Sequence, residues 1–503
     1  MLNLQLFYFL FLFSLLTFCT ANFSVPHVSV NTERLIEDLK ILGQFSDGDY
    51  PGITRLLYSK EDKAARRYLV ALFEKSGLSV SWDPVGNIFA RWEGSDPRAP
   101  AVASGSHFDT LLNAGLYDGT LGVLGALEAV RSLKEVGFEP KRSIDIIAFT
   151  SEEVSRFGIG CLGSRYLVGS LSIEELVKLK DSDGVDFESA RKSCGYTERL
   201  EDSKISEDFY SAFVELHIEQ YHILEDEGIP IGLVTDIAAP ALYTIEWKGP
   251  GGHAGSVPSN ERQDPFLAAS EFALSLEQLV LRDPKNSRAT IGRVEVYPGS
   301  AGAIPRSARL SLDIRDINEE SRTRVKDLSL EKAAAIARKR KVTMETSHNY
   351  SYPPARMDQR IIQVMEDSCR AYNFRYLKLV SRPFHDSLFM ATKFPTGMIF
   401  IPCNGGKSHV PDEYASPDDI SHGVEEVYPI IPIHPSIHPS ITFPPLFLRS
   451  IIGFAVVWNY FNSCAAFVIS FRQHQWTQKQ ERSPFTFPSW RNKQKDTMRW
   501  FKK

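Results

Sequence analysis

The chain has 503 residues, of which 43% are hydrophobic, so it is long enough to bury a sizeable core in roughly two to four domains. Its 57 basic and 62 acidic residues give a formal net charge of −5, which excludes a strong global field for nucleic acid or anionic lipid. Its six cysteines form neither a CxxC pair nor a dense framework, so no zinc ribbon and no disulfide pairing is predicted.

The N-terminus, residues 1–21, is strongly apolar and ends in Cys19-Thr20-Ala21. These features predict a secretory signal peptide, although the usual positive charge near the start is missing, and an uncleaved anchor is the alternative. Glycosylation sequons begin at Asn22 and Asn349, and they are usable only if the chain enters the endoplasmic reticulum.

Strand and helix patterns alternate up to about residue 234, which predicts a largely parallel α/β sheet. In this part helices are predicted over 31–42 and 59–76, two short strands over 78–92, and longer strands over 101–104 and 143–149. From about residue 241 the pattern changes, with strands predicted over 242–248, 289–296, 308–315 and 341–346, and helices over 265–281 and 321–339. This second part is predicted to be an antiparallel sheet with two helices that interrupts the main domain.

The stretch GSHFDTLLNAGLYDG, residues 105–119, follows a predicted strand and precedes a predicted helix. His107 is a candidate metal ligand, and Asp109 is placed to accept a hydrogen bond from its other ring nitrogen. Asp118 has two oxygens and is a candidate bridge between two metals. Open α/β sheets place ligand sites at the carboxyl ends of strands, which is where these residues lie.

Two further clusters follow apolar strands. Glu152 and Glu153 are adjacent, so one carboxylate can bind a metal while the other acts as a base on an activated water. The alternative is an acid-rich helix N-terminus. His217, in VELHIEQ, is a candidate ligand, with a structural histidine as its alternative.

Three more histidines complete the pattern. His253 lies in the glycine-rich string GGHAG, His385 in FHDS, and His409 in GGKSH. His409 follows a predicted strand over 398–401, so it also lies at the carboxyl end of a strand.

Taken in order, the motifs GSHxD, xDG, EE, HIEQ, GxxGHAG, DxR and SH resemble the dinuclear aminoacylase and carboxypeptidase superfamily, in its branch of allantoate, ureidoglycolate and N-carbamoyl amino acid amidohydrolases. Strings such as SEEVSRFGIGCLGSR, LEDEGIPIG and HDSLFMA are most similar to the ureidoglycolate-hydrolysing members of plants. The resemblance covers residues 31–427. It implies an α/β fold with a mostly parallel-sheet catalytic domain and an inserted α+β lid and dimerisation domain. The expected segments are a signal peptide (1–21), the catalytic domain (27–238 and 351–427), the lid (239–350) and an atypical tail (428–503).

The resemblance implies a centre of two Mn²⁺ ions per subunit, with Zn²⁺ as an alternative for such nitrogen and oxygen ligands. The implied ligands are His107, Asp118, Glu153, His217 and His409, with Asp118 as the bridge. Glu152 is implied as the general base, and Asp109 as the residue that orients His107.

The implied substrate is a small ureido acid, (S)-ureidoglycolate, whose ureido group is hydrolysed to ammonia, carbon dioxide and a hydroxyglycine that decays to glyoxylate. Arg315 is expected to bind the substrate carboxylate. His253 is expected to polarise the carbonyl from the lid of a partner in a homodimer. Gln220, Phe384 and His385 are expected to contact the substrate. The resemblance also implies a location in the endoplasmic reticulum.

The sequence departs from the family at three positions near the substrate. Gly302 stands where the family has Asn, Tyr221-His222 where it has Gly-Pro, and Phe384 where the ureidoglycolate enzyme has Tyr. Hydrolysis of allantoate or of N-carbamoyl-L-amino acids is therefore the second hypothesis. A non-catalytic homologue is a third, which the complete ligand set and Glu152 argue against.

The end of the chain also departs from the family. A final helix is expected after Gly423-Val424, but the sequence continues as YPIIPIHPSIHPSITFPP, which cannot be helical. An uncharged segment, residues 451–471, then precedes a basic end. A transmembrane anchor is one interpretation. A tail translated from a non-coding extension is the other, and the one we prefer.

Overall fold

The structure is a computed structural model, which describes residues 28–201, 205–282 and 287–428. The predicted signal peptide, the Pro-rich tract and the apolar segment at 451–471 lie outside the described residues. Among the residues that are described, we find no helix that is both long and apolar enough to cross a membrane.

The strands of the described residues are, in chain order, β1 (Ser79–Trp82), β2 (Ile88–Trp92), β3 (Ala101–His107), β4 (Ile144–Phe149), β5 (Tyr210–Ile218), β6 (Ile231–Ile237), β7 (Ala239–Lys248), β8 (Gly252–His253), β9 (Arg288–Thr290), β10 (Val294–Tyr297), β11 (Ala303–Ile304), β12 (Ser307–Asp316), β13 (Thr343–Ser351), β14 (Ala355–Arg356), β15 (Tyr376–Ser381) and β16 (Thr396–Ile401). The helices are α1 (Thr32–Gly43), α2 (Lys60–Lys75), α3 (Thr120–Glu135), α4 (Leu162–Val168), α5 (Ile173–Leu176), α6 (Phe187–Ser193), α7 (Ile223–Glu227), α8 (Pro265–Val280), α9 (Glu319–Arg340), α10 (Gln359–Ala371), α11 (Asp386–Met390) and α12 (Pro417–Val427).

The larger sheet has nine strands in the order β1-β2-β4-β3-β5-β16-β6-β14, with β15 also paired to β6. Its centre, β4, β3, β5 and β16, is parallel throughout. The carboxyl ends of these four strands therefore meet at one edge of the sheet, although they come from distant parts of the chain. The predicted parallel α/β sheet is confirmed, with antiparallel pairs added on both sides.

Helix α3 anchors the first metal-site motif because it is buried on almost every side between the sheet and the neighbouring helices α1 and α12. Gly122 allows this close packing: a Cβ there would lie 2.4 Å from the carbonyl oxygen of Leu216 in β5. The start of α3, and with it the Asp118 loop, is thereby held against the carboxyl end of the sheet.

A second, antiparallel sheet has the order β10-β12-β7-β13, with β9 also paired to β12. Helices α8 and α9 cover one face, and their core is built around Trp247 and Phe272. This is the α+β insert predicted from the sequence. The single strand predicted over 289–296 was wrong: the chain forms β9 and β10, separated around Gly292, and the two pair with β12 in registers that differ by one residue.

The chain crosses between the two sheets twice, and one buried arginine joins both crossings. The guanidinium of Arg322, on α9, donates to the carbonyl oxygens of Ala239 (2.9 Å) and Tyr352 (2.6 Å) and to the Ser351 hydroxyl (3.1 Å). The Tyr352 amide also donates to the Pro240 carbonyl at 3.2 Å. The insert is therefore held at a defined angle to the larger sheet.

The end of the fold differs from the expectation. The final helix is present as α12, which ends at Val427, directly before the Pro-rich tract. Ser416 caps its N-terminus and Pro417 starts its first turn. Tyr428, predicted as the first residue of the tail, is buried in the main core. A truncation meant to remove only the tail should therefore begin after Tyr428.

Candidate metal centre

The predicted ligands come together at the carboxyl edge of the larger sheet. His107 ends β3, His217 lies near the end of β5, Glu153 follows β4, and His409 follows β16. All but His409 are buried. Residues from four parallel strands converge because their carboxyl ends share one edge.

Asp118 lies at the middle of this group. Its Oδ1 is 3.3 Å from His107 Nε2 and 3.2 Å from His217 Nε2. Its Oδ2 is 3.2 Å from His409 Nε2, which is also 3.2 Å from Glu153 Oε1. The side chains thus form two sets of three with ligand atoms within 4.8 Å of one another, and Asp118 belongs to both.

The buried carboxylates of this group require positive charge beside them. Burial acts to raise the pKa of Asp118, but hydrogen bonds from His107, His217 and His409 outweigh it and hold that pKa well below its usual value. Hydrogen bonds to Asp118 and Glu153 in turn raise the pKa of His409 to about 11. Buried carboxylates are therefore balanced by imidazolium charge, which divalent cations would replace.

Glu152 lies beside the group without belonging to either ligand set. Its Oε2 is 3.9 Å from His107 Nε2, and the Cys161 thiol lies 3.6 Å from its Oε1. Burial raises the pKa of Glu152 well above its ordinary value, and the Glu153 carboxylate adds to the effect. A carboxylate with this environment beside a metal site is suited to hold and release a proton.

The helix alternative for the two glutamates is excluded. Residues 151–160 form a loop, and the next helix, α4, begins at Leu162. Ser151 has φ +55° and Cys161 φ +50°, and the backbone of residues 161–163 donates to the carbonyls of residues 150–152. This bracing fixes two neighbouring carboxylates in different directions.

Asp109 acts differently from the expectation. The Nδ1 atom of His107 contacts the carbonyl oxygen of Asp109 at 3.1 Å, whereas the Asp109 carboxylate is 3.6 Å away. That carboxylate accepts the backbone N–H groups of Glu152 (3.0 Å) and Glu153 (3.3 Å). Asp109 therefore orients His107 through its main chain and the two glutamates through its side chain.

The predicted substrate contacts lie on one side of the group. The buried His385 ring is 4.5 Å from the His217 ring, and its Nε2 has no hydrogen-bond partner among the described residues. Burial lowers the pKa of His385 well below its ordinary value, so the ring is neutral. Arg315 reaches over from β12, with its guanidinium carbon 5.5 Å from the centre of the Phe384 ring, and pairs with Asp313 at 3.0 Å.

Gln220, predicted to contact the substrate, contacts the candidate metal ligand Asp118 directly. Its Nε2 donates to Asp118 Oδ2 at 2.7 Å, and its backbone has φ +57°. The Gln220 Oε1 atom is buried and without a partner among the described residues. An unused buried acceptor beside the carboxylates leaves a position for a ligand that carries a donor or a positive charge.

His253 is not joined to this group within the chain. It lies exposed in β8, where its Nδ1 accepts the Gly255 N–H at 3.1 Å. The bonds that hold it belong to the loop it lies on and to β11. The expected role of His253 at the site of a partner subunit stays a prediction.

Sequence reasoning missed two residues of the group. The Ser408 hydroxyl donates to Asp118 Oδ2, and Glu413 accepts the backbone N–H groups of Tyr117 and Asp118. Both lie within four residues of His409 in the chain. This closeness to a predicted ligand is the sequence feature that indicates them.

The donor set fits divalent metal ions. Each set of three offers imidazole nitrogen and carboxylate oxygen, and a carboxylate bridges the sets. This chemistry suits Mn²⁺ or Zn²⁺ and lacks the thiolate typical of structural zinc.

Comparisons with known proteins show which hydrolases this chain is similar to. The family model described as peptidase family M20/M25/M40 matches residues 104–431. The ureidoglycolate hydrolase of Arabidopsis thaliana is 47% identical over 406 residues, which is 79% of this chain and 85% of that protein. The N-carbamoyl-L-amino-acid amidohydrolase of Paenarthrobacter aurescens is 36% identical over 396 residues, 78% of this chain and 96% of that protein. Crystal structures of AtUAH in complex with glyoxylate and with (S)-hydroxyglycine each align with a TM-score of 0.74 at 45% identity, covering 80% of this chain and 97% of that one.

A mixed α/β fold with a carboxylate-bridged ligand set at the carboxyl edge of its sheet defines a metal-dependent hydrolase that acts on carbon–nitrogen bonds. Within that class, the chain belongs to peptidase family M20/M25/M40.

Proposed function

We propose that this enzyme hydrolyses the ureido group of (S)-ureidoglycolate, a late step in the recovery of nitrogen from purines. The observation that carries the proposal is the placement of Arg315 from the insert beside Phe384 and His385, next to the Asp118 group. A guanidinium can bind the carboxylate of a small acid. Metal ions held by the Asp118 group would activate a water for attack on the ureido carbonyl of the same molecule. The 47% identity to a ureidoglycolate hydrolase supports this substrate over others.

Two Mn²⁺ ions are proposed, one held by His107, Asp118 and His217 and the other by Asp118, Glu153 and His409. When bound, such a pair lowers the pKa of a water toward neutrality and polarises the substrate carbonyl.

Glu152 takes the proton from the attacking water as the oxygen adds to the ureido carbon. It then returns the proton to the departing nitrogen when the carbon–nitrogen bond breaks. His385, held neutral by its burial, is placed to donate or accept a hydrogen bond at the substrate. The products are ammonia, carbon dioxide and hydroxyglycine, which decays to glyoxylate and a second ammonia.

The test is a set of steady-state assays on the full chain with ureidoglycolate, allantoate and N-carbamoyl-L-amino acids side by side. Each is run after chelation and again after reloading with Mn²⁺ or Zn²⁺. The proposal expects the highest kcat/KM on ureidoglycolate with Mn²⁺, and no turnover of any substrate after chelation. A higher kcat/KM on another ureido acid would favour the second hypothesis, and absence of turnover throughout would favour a non-catalytic homologue.

Gly302 keeps the second hypothesis open. Its carbonyl accepts the Ala254 N–H at 2.9 Å, so it lies beside the loop of His253, and a Cβ at this glycine would meet nothing within 4 Å. An Asn here could donate to a substrate carboxylate or a developing oxyanion, which a glycine cannot do.

We expect Gly302→Asn to raise kcat/KM for ureidoglycolate by roughly tenfold to hundredfold, because a hydrogen bond in a desolvated site is worth about 1–3 kcal/mol. Gly302→Ala is the matched control, since it adds a Cβ at this position without an amide. The measurement is kcat/KM for ureidoglycolate of the parent chain, Gly302→Asn and Gly302→Ala at saturating Mn²⁺. If Asn has no effect while another ureido acid is the better substrate of the parent, the pocket serves that acid.

We further propose a homodimer through the insert, with His253 completing the site of the partner. The support is an apolar row formed by Leu267 and Leu274 of α8 and by Leu281 just after it, at heptad spacing and with exposures of 44%, 64% and 64%. Exposed leucines in such a row favour a protein contact.

Mixing two inactive variants tests the shared site. In a hybrid dimer of Glu152→Gln and His253→Ala chains, one site combines an intact Glu152 with an intact His253. We expect the mixture, after subunit exchange, to recover activity that neither variant shows alone. A monomer in solution, or a mixture that stays inactive after exchange is demonstrated, contradicts the shared site.

Entry into the endoplasmic reticulum is also proposed, on the apolar N-terminus and the sequon at Asn349. Asn349 is exposed on β13, so a glycan there would project from the insert. The test is a mobility shift on glycosidase treatment of the chain made in a eukaryotic cell, with Asn349→Gln as the control.

A further inference from the structure

We propose that Glu413 is a positioning residue of the metal centre, which locks the loop of the bridging Asp118 to the loop of His409. The inference rests on the proposed metal role of these two residues. Glu413 lies outside both ligand sets, so its part is to place ligands rather than to bind a metal.

The contacts of Glu413 are made with the backbone of the bridging loop. Its Oε1 accepts the N–H of Tyr117 at 2.7 Å and the N–H of Asp118 at 3.0 Å. The side chain is 5% exposed, so water does not compete for these bonds. Hydrogen bonds that are shielded from water in this way are strong and directional.

The packing shows that the bridging loop is built around this carboxylate. A Cβ at Gly115 would lie 2.2 Å from Glu413 Cδ, so only a glycine lets the loop close on the side chain. The rings of Tyr117 and Tyr414 meet edge to face at 6.1 Å beside it. The loop of Gly115 and Tyr117 therefore packs closely against the segment of Glu413 and Tyr414.

Glu413 also belongs to the segment that carries His409. Its N–H donates to Val410 O at 3.2 Å, and His409 itself has φ +61°, in the left-handed region that a histidine rarely adopts. The loop from His409 to Glu413 thus holds an unfavourable backbone conformation while reaching across to Asp118. A strained loop needs such a fixed point.

The consequence follows from the geometry of Asp118. Its two oxygens face different histidines, so a small rotation of its backbone would improve one set of ligands at the cost of the other. Two hydrogen bonds to Glu413 at adjacent N–H groups prevent that rotation. Loss of such an outer contact typically weakens metal binding 10- to 100-fold.

The experiment compares the parent chain with Glu413→Ala, Glu413→Asp and Glu413→Gln, and measures Mn²⁺ affinity by competition with a chromogenic chelator. Thermal unfolding of each metal-free protein is recorded in parallel. Glu426→Ala is the control for loss of a buried glutamate, since Glu426 is fully buried and accepts a hydrogen bond from Ser368, away from the ligands.

We expect Glu413→Ala to bind Mn²⁺ about 10- to 100-fold more weakly. Glu413→Gln should stay close to the parent, because its amide oxygen can accept the same two N–H groups. Glu413→Asp, which is one methylene shorter, should fall between them, and it carries the test if the Ala variant does not fold. Glu426→Ala should keep the parent affinity whatever its stability.

Parent-like Mn²⁺ affinity in Glu413→Ala, or an equal loss in Glu426→Ala, would overturn the positioning role. A Gln variant as weak as the Ala variant would also overturn it, because the bonds to the loop would then not be what matters. A parent chain that binds no Mn²⁺ overturns the proposed metal centre itself, and the role of Glu413 with it.

Discussion

Glu152→Gln is expected to lower kcat at least about 10²-fold while the chain keeps its metals. The side chain lies beside the Asp118 group but belongs to neither ligand set, and its Oε2 is 3.9 Å from His107 Nε2. Burial raises its pKa well above the ordinary value of a glutamate, as a group that must accept and return a proton requires. The amide of glutamine has nearly the same shape and cannot carry that proton.

The adjacent glutamate provides the matched control. Glu153 has the same side chain one residue later, and its Oε1 is 3.2 Å from His409 Nε2. Glu153→Gln should therefore lose metal as well as activity, whereas Glu152→Gln should lose activity alone. Metal analysis by mass spectrometry and steady-state kinetics on both variants separate the two roles. Near-normal turnover in Glu152→Gln, or loss of its metals, would refute the assignment.

Asp118→Ala is expected to lose both metals together and to reduce turnover to background. One carboxylate serves both ligand sets, with Oδ1 toward His107 and His217 and Oδ2 toward His409. Its removal leaves each set with one carboxylate fewer, and in the first set His107 and His217 then repel each other when protonated. Within the part of the chain that the structure describes, no other single ligand belongs to both sets.

Asp145→Ala is a suitable control for loss of a buried aspartate. Asp145 lies in β4, pairs with Arg91 at 2.7 Å and accepts the Tyr210 hydroxyl at 3.0 Å, outside the ligand sets. It should lower the unfolding temperature without changing the metal content. An Asp118→Ala protein that still holds two metals per chain would show that the bridge is assigned to the wrong residue.

These two results and the Glu413 experiment address different levels of the site. Glu152→Gln tests proton transfer, Asp118→Ala tests whether metal binds at all, and the Glu413 variants test how tightly metal binds. Because each variant has its own readout, one failure does not decide the others.

Local patterns predicted many of the elements. The helices predicted over 59–76 and 265–281 appear as Lys60–Lys75 and Pro265–Val280, because their caps and apolar spacing are read within a few residues. The same approach failed at 289–296, where the alternation continues but the pairing with β12 shifts register by one residue between β9 and β10. It also failed to predict α12. The Pro-rich tract after this helix excludes a helix only from Tyr428 onward, whereas α12 begins at the Ser416-Pro417 cap and ends before the tract.

The sequence by itself determined which side chains are available for chemistry and in which order they occur. His107 and His217 lie at or near the end of an apolar strand, Glu153 and His409 follow one, and Asp118 lies in the loop after the strand of His107. The carboxyl ends of parallel strands share one edge, so these residues are expected to meet there. Ligand type is a property of the residue, so a metal centre with nitrogen and oxygen ligands was predictable without coordinates.

The tertiary structure decided how those side chains use their atoms. The Asp109 carboxylate bonds to the glutamate loop while its carbonyl oxygen contacts His107. Gln220 donates to Asp118, and Glu413 accepts the N–H of Tyr117, which is 296 residues away in the chain. Such contacts depend on how separate loops pack above the sheet, and the free energy of that packing is shared among all of them. No pattern within one segment carries that information, because each bond is chosen by competition among neighbours that only the folded chain brings together.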